Sequence, residues 1–142
     1  MKNLLSIESL SRDEILAVLD DTAVMKSSRG HHASHPLRHQ CWAMIFSKSS
    51  TRTRVSFEAG MVQMGGHAMF LSPRDTQLGR GEPIEDSARA ISSMVDIVMI
   101  RTFEQHRIQQ FAAHSRVPVI NGLTNEYHPC QILADIFTFI EH

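Results

Sequence analysis

The sequence contains only two cysteines and no long apolar run. Cys41 and Cys130 could pair, but two cysteines without a secretory signal are more often reduced thiols. The start, MKNLLSIESLSRDE, turns acidic before the apolar core of a signal peptide develops. No apolar run approaches the roughly 20 residues of a membrane-spanning helix. We therefore expect no disulfide, a cytoplasmic location and no membrane partner.

The sequence also lacks a net charge of any size. Its 14 Lys and Arg residues and 15 Asp and Glu residues leave a formal net charge of -1. Because nucleic acids and anionic membranes attract a broad basic surface, this balance argues against nucleic acid as a partner. Positive charge is local, and one such place is FSKSSTRTRVSFEAG, residues 46–60.

Short apolar runs alternate with helix-like segments along the chain, which at 142 residues is the size of one domain. Ser11 and Glu14 form a capping box before the first helix, and Pro129 suits the first position of the last. The alternation predicts an α/β fold, with a small parallel sheet of about four strands and helices on both faces, for the single domain 1–142. The predicted strands are 41–46, 67–72, 96–100 and 117–121, and the predicted helices are 11–26, 50–64, 84–94, 104–114 and 128–142.

Three polar segments follow predicted strands. SSTRT, residues 49–53, comes after the first strand, Arg101 comes directly after the third, and HPCQ, residues 128–131, follows the fourth. In an open parallel sheet, ligands bind beyond the carboxyl ends of the strands, where the following loops converge. We therefore expect these three segments to meet in space.

The SSTRT segment lies at a predicted helix start, where unpaired backbone N–H groups and the helix dipole favour an anion. Its hydroxyl groups and the guanidinium of Arg52 add donors in the same volume. The alternative is that Ser50 is only an N-cap and the arginines are surface charges. Arg54 is expected to pair with Glu58, four residues further along the helix.

Arg101, His128 and Gln131 carry groups that suit a carbonyl-containing anion. Arg101 could reach the anion or an adjoining carbonyl oxygen from its strand end. His128 and Gln131 share a helix face, and a histidine can donate to a developing oxyanion while a glutamine carbonyl accepts from an amide N–H. The alternative is that His128 is a turn residue and Gln131 a helix cap.

Four histidines in a polar connector raise the question of a metal site. They are not accompanied by cysteines or carboxylates in a ligand pattern, so we interpret the connector as a solvated loop and expect no metal. The four are His31, His32, His35 and His39.

Over essentially all 142 residues, these segments resemble the carbamoyl-phosphate-binding half of ornithine carbamoyltransferases. SSTRTRVSFE resembles the phosphate signature of that family and HPCQILAD its second signature. DTQLGRGEPIEDSARAISSMVDIVMIRT resembles the intervening loop, helix and strand. The sequence departs from the pattern at SKS, residues 47–49, where glutamate-lysine-proline is more frequent.

The resemblance implies a role for each matching residue. Residues 50–53 would hold the phosphate of carbamoyl phosphate, and Arg101 would span phosphate and carbonyl oxygen. Thr53, Arg101 and His128 would polarise that carbonyl, while Gln131 would orient the NH2 group. The deprotonated side-chain amine of L-ornithine would attack, and the tetrahedral oxyanion would collapse to citrulline and phosphate without a metal, cofactor or covalent intermediate. The implied binding set is Ser50, Thr51, Arg52, Thr53, Gln77, Arg101, His128, Pro129, Cys130 and Gln131.

The resemblance leaves the amine acceptor less closely defined. Aspartate carbamoyltransferases are similar, but they usually carry threonine or serine at Cys130 and a lysine near Arg80, so Cys130 and Gln77 favour ornithine. Putrescine and N-acetylornithine stay open, as does a non-catalytic phosphate-binding or interaction module. The ornithine-binding domain of the family is expected beyond His142.

The loop SPRDTQLGRGEP, residues 72–83, is longer than most strand-to-helix connections, and loops of this length are often functional. The resemblance implies a homotrimer, or a multiple of trimers, in which Gln77 bonds the donor of the neighbouring subunit and Arg80 adds positive potential. The alternative is an ordinary surface connector.

Overall fold

The computed structural model describes residues 2–72 and 81–142, and the predicted α/β alternation is confirmed there. Each strand except the last described one is followed by a helix that returns the chain for the next parallel strand, and the last is followed by the final helix. Within the described residues, no helix combines the length and apolar character needed to cross a membrane. The strands are β1 (Cys41–Phe46), β2 (His67–Leu71), β3 (Ile97–Arg101) and β4 (Val119–Leu123), and the helices are α1 (Arg12–Ser27), α2 (Thr51–Gln63), α3 (Ile84–Ser92), α4 (Gln105–His114) and α5 (Pro129–Glu141).

The helix ends follow the local sequence signals. The Ser11 hydroxyl accepts from the Glu14 amide at 3.3 Å, and the Glu14 carboxylate accepts from the Ser11 amide at 2.8 Å. These two bonds are the predicted capping box, and they satisfy amides that α1 itself leaves unpaired. Pro129 occupies the first turn of α5, where a missing N–H costs nothing.

The four strands are parallel and lie in the order β2-β1-β3-β4. The chain moves from β1 outward to β2 and then returns to the other side of β1 for β3 and β4. The winding direction therefore reverses between β1 and β3. At such a point the loops after the two strands diverge, and a crevice opens at the carboxyl edge of the sheet.

Helices cover both faces of the sheet. On one face, α3 and α4 pack against β1, β3 and β4, with Ile108 and Phe111 almost completely buried. On the other, Met44, Phe46 and Met99 pack with the partly buried Phe57 of α2. Two apolar cores therefore hold the sheet edge in place from both sides.

The side of α2 that faces the sheet is set by tertiary packing. Apolar residues occur on more than one side of this helix. Val55 and Val62 lie on its outer side and are 57% and 72% exposed. Phe57 and Met61 face inward instead, with Met61 only 1% exposed. Thr53, one turn before Phe57, therefore faces the same way as the buried side of the helix.

A β-bulge interrupts the pairing of β3 with β4 next to the crevice. Ile100 pairs with Asn121, but Arg101 pairs with Leu123, so Gly122 is the extra residue. A Cβ atom at Gly122 would lie 2.5 Å from Sδ of Met99 and 3.3 Å from the carbonyl oxygen of Ile100. Because bulges bend a strand and redirect its side chains, this bulge affects the direction in which the neighbouring Arg101 side chain leaves the sheet.

Gly122→Ala is expected to lower the free energy of unfolding by about 1–3 kcal/mol, because the added methyl group overpacks the buried Met99. The matched control is Gly60→Ala in α2, whose Cβ would meet only Cε of Met64 at 3.7 Å. That change is expected to raise the free energy of unfolding by about 0.4–1 kcal/mol. Urea titrations compare the midpoints at constant slope. Equal midpoints for the two variants would contradict tight packing at the bulge.

Candidate functional site

A cleft of about 460 Å³ lies at the carboxyl edge of the sheet, at the reversal between β1 and β3. The loop after β1, the end of β3 and the start of α5 all contribute to it. The three polar segments therefore meet, as their positions after parallel strands predicted. The lining residues are Ser50, Arg52, Thr53, Ser56, Phe57, Arg101, Leu123, His128, Cys130, Gln131 and Ala134.

The amino terminus of α2 forms one wall of this cleft. Ser50 is its N-cap, and the Ser50 hydroxyl oxygen accepts from the Thr53 amide at 3.3 Å and lies 3.0 Å from the Thr53 hydroxyl. The N-cap interpretation is thus correct, and it is compatible with an anion site. A single cap satisfies one amide, whereas the first turn of a helix presents several that lack acceptors within the helix.

Arg101 crosses the cleft floor from β3 to α2. Its Nη1 donates to the Thr53 hydroxyl at 3.3 Å, while its Nε is buried and has no hydrogen-bond partner among the described residues. Burial lowers the pKa of Arg101, and the positive charge of Arg52 lowers it further. An unpaired buried donor is costly, so this nitrogen is suited to an anionic ligand.

Positive charge in the cleft is not neutralised by its walls. Of the described residues that line the cleft, none is an aspartate or glutamate. Burial and the charge of Arg101 also lower the pKa of Lys48, whose ammonium lies 4.9 Å from the ring centre of Phe103 and donates to Asn125 at 3.2 Å. The charge of Arg54, by contrast, is paired with a carboxylate. Its Nε lies 3.0 Å from Glu58, which confirms the predicted ion pair.

His128 caps α5 at the opposite wall. Its Nδ1 accepts from the Gln131 amide at 3.3 Å, so Nε2 carries the proton in the neutral ring. Burial lowers the pKa of His128, and the charge of Arg101 lowers it further against the smaller opposing effect of Asp135. A neutral imidazole with Nε2–H is therefore the form at neutral pH, and it can donate a hydrogen bond into the cleft.

Gln131 lies one turn into α5. The side-chain nitrogen Nε2 of Gln131 donates to the Asp135 carboxylate at 2.8 Å. Because this bond uses the nitrogen, the carbonyl oxygen is the Gln131 group suited to accept from an N–H of a ligand. The helix-cap alternative for this side chain is wrong, since the cap acceptor is His128.

Cys130 lines the cleft without being a nucleophile. Burial raises the pKa of its thiol to about 11, and Sγ lies 3.6 Å from the carbonyl oxygen of Asn121. A protonated, partly buried thiol is a poor nucleophile. Cys130 can therefore contribute shape and packing to the cleft wall.

Three residues of the predicted binding set do not line the cleft in the described structure. Thr51 borders an adjacent surface depression together with Arg29 and Arg52. The Pro129 ring is buried at the start of α5. Gln77, together with Arg80, lies outside the described residues.

Sequence reasoning missed Ser56, Phe57, Leu123 and Ala134 as lining residues. Ser56 and Phe57 follow Thr53 by three and four residues, so helical spacing alone could have placed them on its face. Leu123 and Ala134 carry no polar signal. Among the described residues, no group of three or more His, Cys, Asp or Glu is arranged to hold a metal ion.

The family of the chain follows from comparison with known proteins. Residues 2–141 match the family described as "Aspartate/ornithine carbamoyltransferase, carbamoyl-P binding domain". The chain is 62% identical over 143 aligned positions to a Burkholderia mallei protein named ornithine carbamoyltransferase, covering 100% of this chain and 46% of that protein. The chain thus spans about half the length of the curated relatives it matches.

Solved structures give the same result. The ornithine carbamoyltransferase of Burkholderia thailandensis superposes with a TM-score of 0.95 at 62% identity, covering 100% of this chain and 49% of that one. The Pyrococcus furiosus ornithine carbamoyltransferase superposes with a TM-score of 0.92 at 40% identity, covering 99% and 45%. The chain therefore belongs to the aspartate/ornithine carbamoyltransferase family, whose carbamoyl-phosphate-binding domain it matches.

Proposed function

We propose that this chain is the donor-binding half of an ornithine carbamoyltransferase, which transfers the carbamoyl group of carbamoyl phosphate to the side-chain amine of L-ornithine. The products are L-citrulline and phosphate. The observation that carries the proposal is the buried Nε of Arg101, which has no hydrogen-bond partner among the described residues and lies beside the amino terminus of α2. The names of the relatives at 62% identity support ornithine as the acceptor.

In the proposed complex, the phosphate occupies the first turn of α2. The amides and hydroxyls of residues 50–53 donate to it, and Arg52 adds a guanidinium from the exposed rim. Arg101 reaches both phosphate and the carbonyl oxygen of the donor. Each bond combines a charged partner with a partly dehydrated site, which makes it stronger than a bond between neutral groups.

The chemistry needs an attacking amine and a polarised carbonyl. The neutral amine of ornithine forms a bond to the carbonyl carbon, and the carbonyl electrons move onto oxygen. Thr53, Arg101 and His128 stabilise that oxyanion, which collapses as the carbon–oxygen bond to phosphate breaks. The amine passes its extra proton to an oxygen of the departing phosphate, which leaves as hydrogen phosphate. Gln131 holds the NH2 group of the donor, so catalysis comes from positioning and charge stabilisation.

The ornithine-binding domain is proposed to lie outside these 142 residues. The relatives are about twice as long as this chain, and the cleft lining, as far as the structure describes it, offers no carboxylate to hold the free amino group of an amino acid. A cytoplasmic location stays a prediction.

Calorimetry with carbamoyl phosphate tests the donor site. Arg52→Ala is expected to weaken binding by about tenfold or more, because one charge-assisted contact contributes roughly 1.5–3 kcal/mol. Arg54→Ala removes the same charge two residues away, where Glu58 already compensates it, and is expected to bind within about twofold of the parent. Equal affinities for the two variants would remove Arg52 from the site.

We further propose that the complete protein is a homotrimer, or a multiple of trimers, in which Gln77 completes the cleft of the neighbouring subunit. The test uses a chimera that joins this chain to the remaining part of the Burkholderia mallei relative. Gln77→Ala and Arg52→Ala subunits of the chimera are each expected to be impaired. Mixing them should restore activity above either variant, because some interfaces then contain neither defect. No recovery despite proven subunit exchange would place Gln77 outside the shared site.

A further inference from the structure

A buried group of polar side chains lies beneath the loop that leads from β4 to His128. It consists of Gln105, Asn121 and Thr124, which are 8%, 0% and 4% exposed. None of them lines the cleft. They come from two elements, since Gln105 begins α4 and the other two flank the end of β4. Buried polar groups are costly unless they are paired, so the arrangement of their bonds restricts the loop above them.

Thr124 links this group to the backbone before His128. The Thr124 hydroxyl lies 2.8 Å from Oε1 of Gln105 and 3.3 Å from the Tyr127 carbonyl oxygen, and it donates to the nearer Gln105 oxygen. Oγ1 of Thr124 also accepts from the Tyr127 amide at 3.0 Å. The Thr124 amide in turn donates to the Tyr127 carbonyl oxygen at 2.9 Å. The donation to Gln105 orients the hydroxyl so that a lone pair faces Tyr127. The residue preceding His128 is therefore held by two hydrogen bonds.

Asn121 and Gln105 can adopt only one arrangement of their amide groups. Asn121 Nδ2 lies near three acceptors, the Leu5 carbonyl oxygen at 2.8 Å, Gln105 Oε1 at 3.3 Å and the Tyr127 carbonyl oxygen at 3.5 Å. A flipped Asn121 would set its oxygen against all three. Gln105 Nε2 donates to the same Leu5 oxygen at 3.3 Å, which leaves Oε1 facing Thr124.

The loop itself is tied down from outside this group as well. The Glu126 carboxylate accepts from the Gln105 amide at 3.0 Å and so caps α4, whose own N-cap residue provides no side-chain bond. The Asn125 amide donates to the Phe103 carbonyl oxygen at 2.7 Å. Every residue from Thr124 to Tyr127 is thus bonded to the α4 side of the domain or to a partner within the loop, and His128 comes next.

We propose that Gln105 and Thr124 are positioning residues for His128, which through their buried hydrogen bond aim its Nε2–H at the carbonyl oxygen of the donor. The inference rests on the proposed function, because it assumes that His128 contacts the carbamoyl group. Gln105 and Thr124 act through Tyr127 and touch no substrate. Their contribution should therefore appear in recognition of the carbonyl and not in recognition of phosphate.

The test compares Thr124→Val, which keeps the side-chain shape and removes the hydroxyl, with Thr124→Ser, which restores it. Ser92→Ala is the matched control, because Ser92 is 3% exposed and accepts from the Arg116 amide at 3.0 Å without lining the cleft. Nitrogen NMR of the imidazole reports which nitrogen of His128 carries the proton. Calorimetry reports dissociation constants for carbamoyl phosphate and for inorganic phosphate.

Thr124→Val is expected to reduce the preference for carbamoyl phosphate over inorganic phosphate by about 3- to 10-fold, the equivalent of one hydrogen bond. Its inorganic phosphate affinity should stay within about twofold of the parent, and His128 should populate both tautomers, because a backbone released at Tyr127 no longer holds Nδ1 of His128 against the Gln131 amide. Thr124→Ser and Ser92→Ala should keep the parental preference and the Nε2–H form. A Thr124→Val protein with the tautomer and preference of Ser92→Ala would overturn the proposal.

Two further outcomes are also decisive. If the parent binds neither anion, the proposed function fails. The tautomers of Thr124→Val and Ser92→Ala still show whether the hydrogen bonds of Gln105 and Thr124 orient His128. If Thr124→Val does not fold, Gln105→Leu breaks the same bond from the other side. Unfolding of both variants while Ser92→Ala stays folded would mean a purely structural role and would overturn the proposal.

Discussion

Arg101→Met is expected to weaken inorganic phosphate binding by roughly 100-fold or more. The substitution keeps an unbranched apolar stem but removes both the charge and the buried Nε donor, which no described residue pairs. Two charge-assisted contacts at roughly 1.5–3 kcal/mol each account for a loss of this size. The rise in melting temperature on adding phosphate measures it, since a ligand stabilises only the state that binds it.

The same substitution is expected to leave the unliganded protein as stable as the parent or more so. In the parent, Arg101 is held near Arg52 without a carboxylate among the lining residues in 2–72 and 81–142, and burial already lowers its pKa. Removing an uncompensated charge relieves that cost. The control is Arg89→Met, which removes an exposed arginine paired with Asp86 at 2.9 Å. Phosphate affinity within threefold of this control would exclude Arg101 as a phosphate ligand.

Local signals in the sequence were sufficient for much of the fold. The Ser11–Glu14 capping box and the first-turn position of Pro129 depend on residues a few positions apart, so they can be read from neighbours alone. Strict alternation of strands and helices restricts the sheet to parallel pairing, which explains why the fold class was predictable.

Features that depend on distant residues were not predictable in the same way. The inward side of α2 carries Phe57 and Met61, yet Val55 and Val62 are as apolar and lie outside. Only the position of the helix on the sheet decides between them. The bulge at Gly122 likewise depends on the pairing of two strands about 20 residues apart, and no local pattern indicated it.

The same distinction between local and distant contacts applies to the candidate site. Its charged and polar members come from the end of β3, as Arg101 does, or from the segments that follow β1 and β4, as Arg52 and His128 do, and the sequence indicated their convergence. The hydrogen bonds that run from Gln105 through Thr124 to Tyr127 were missed because they join the start of α4 to the loop after β4. Side chains that touch a ligand carry a recognisable chemistry, whereas those that hold them in place are identified by their contacts.

The isolated chain is expected to bind the donor but to form citrulline at least about 1,000-fold more slowly than the chimera with the remainder of the Burkholderia mallei relative. The described part of the cleft lining contains cations and neutral groups for an anion, but no aspartate or glutamate for the amino group of an amino acid. Holding two reactants together can be equivalent to effective concentrations of about 10⁵ M or more, so an unheld acceptor forfeits most of the rate.

Phe139 and Ile140 of α5 are 85% and 63% exposed, so this end of the domain also leaves apolar surface open to water.

Citrulline formation by the chain and by the chimera measures the difference, and the chimera carrying Arg101→Met controls for activity that does not use this cleft. A chain that matches the chimera would mean that the acceptor is recognised within these 142 residues. An inactive chimera that folds and binds ornithine would locate the failure in the donor half, and so would remove the proposed role of the cleft.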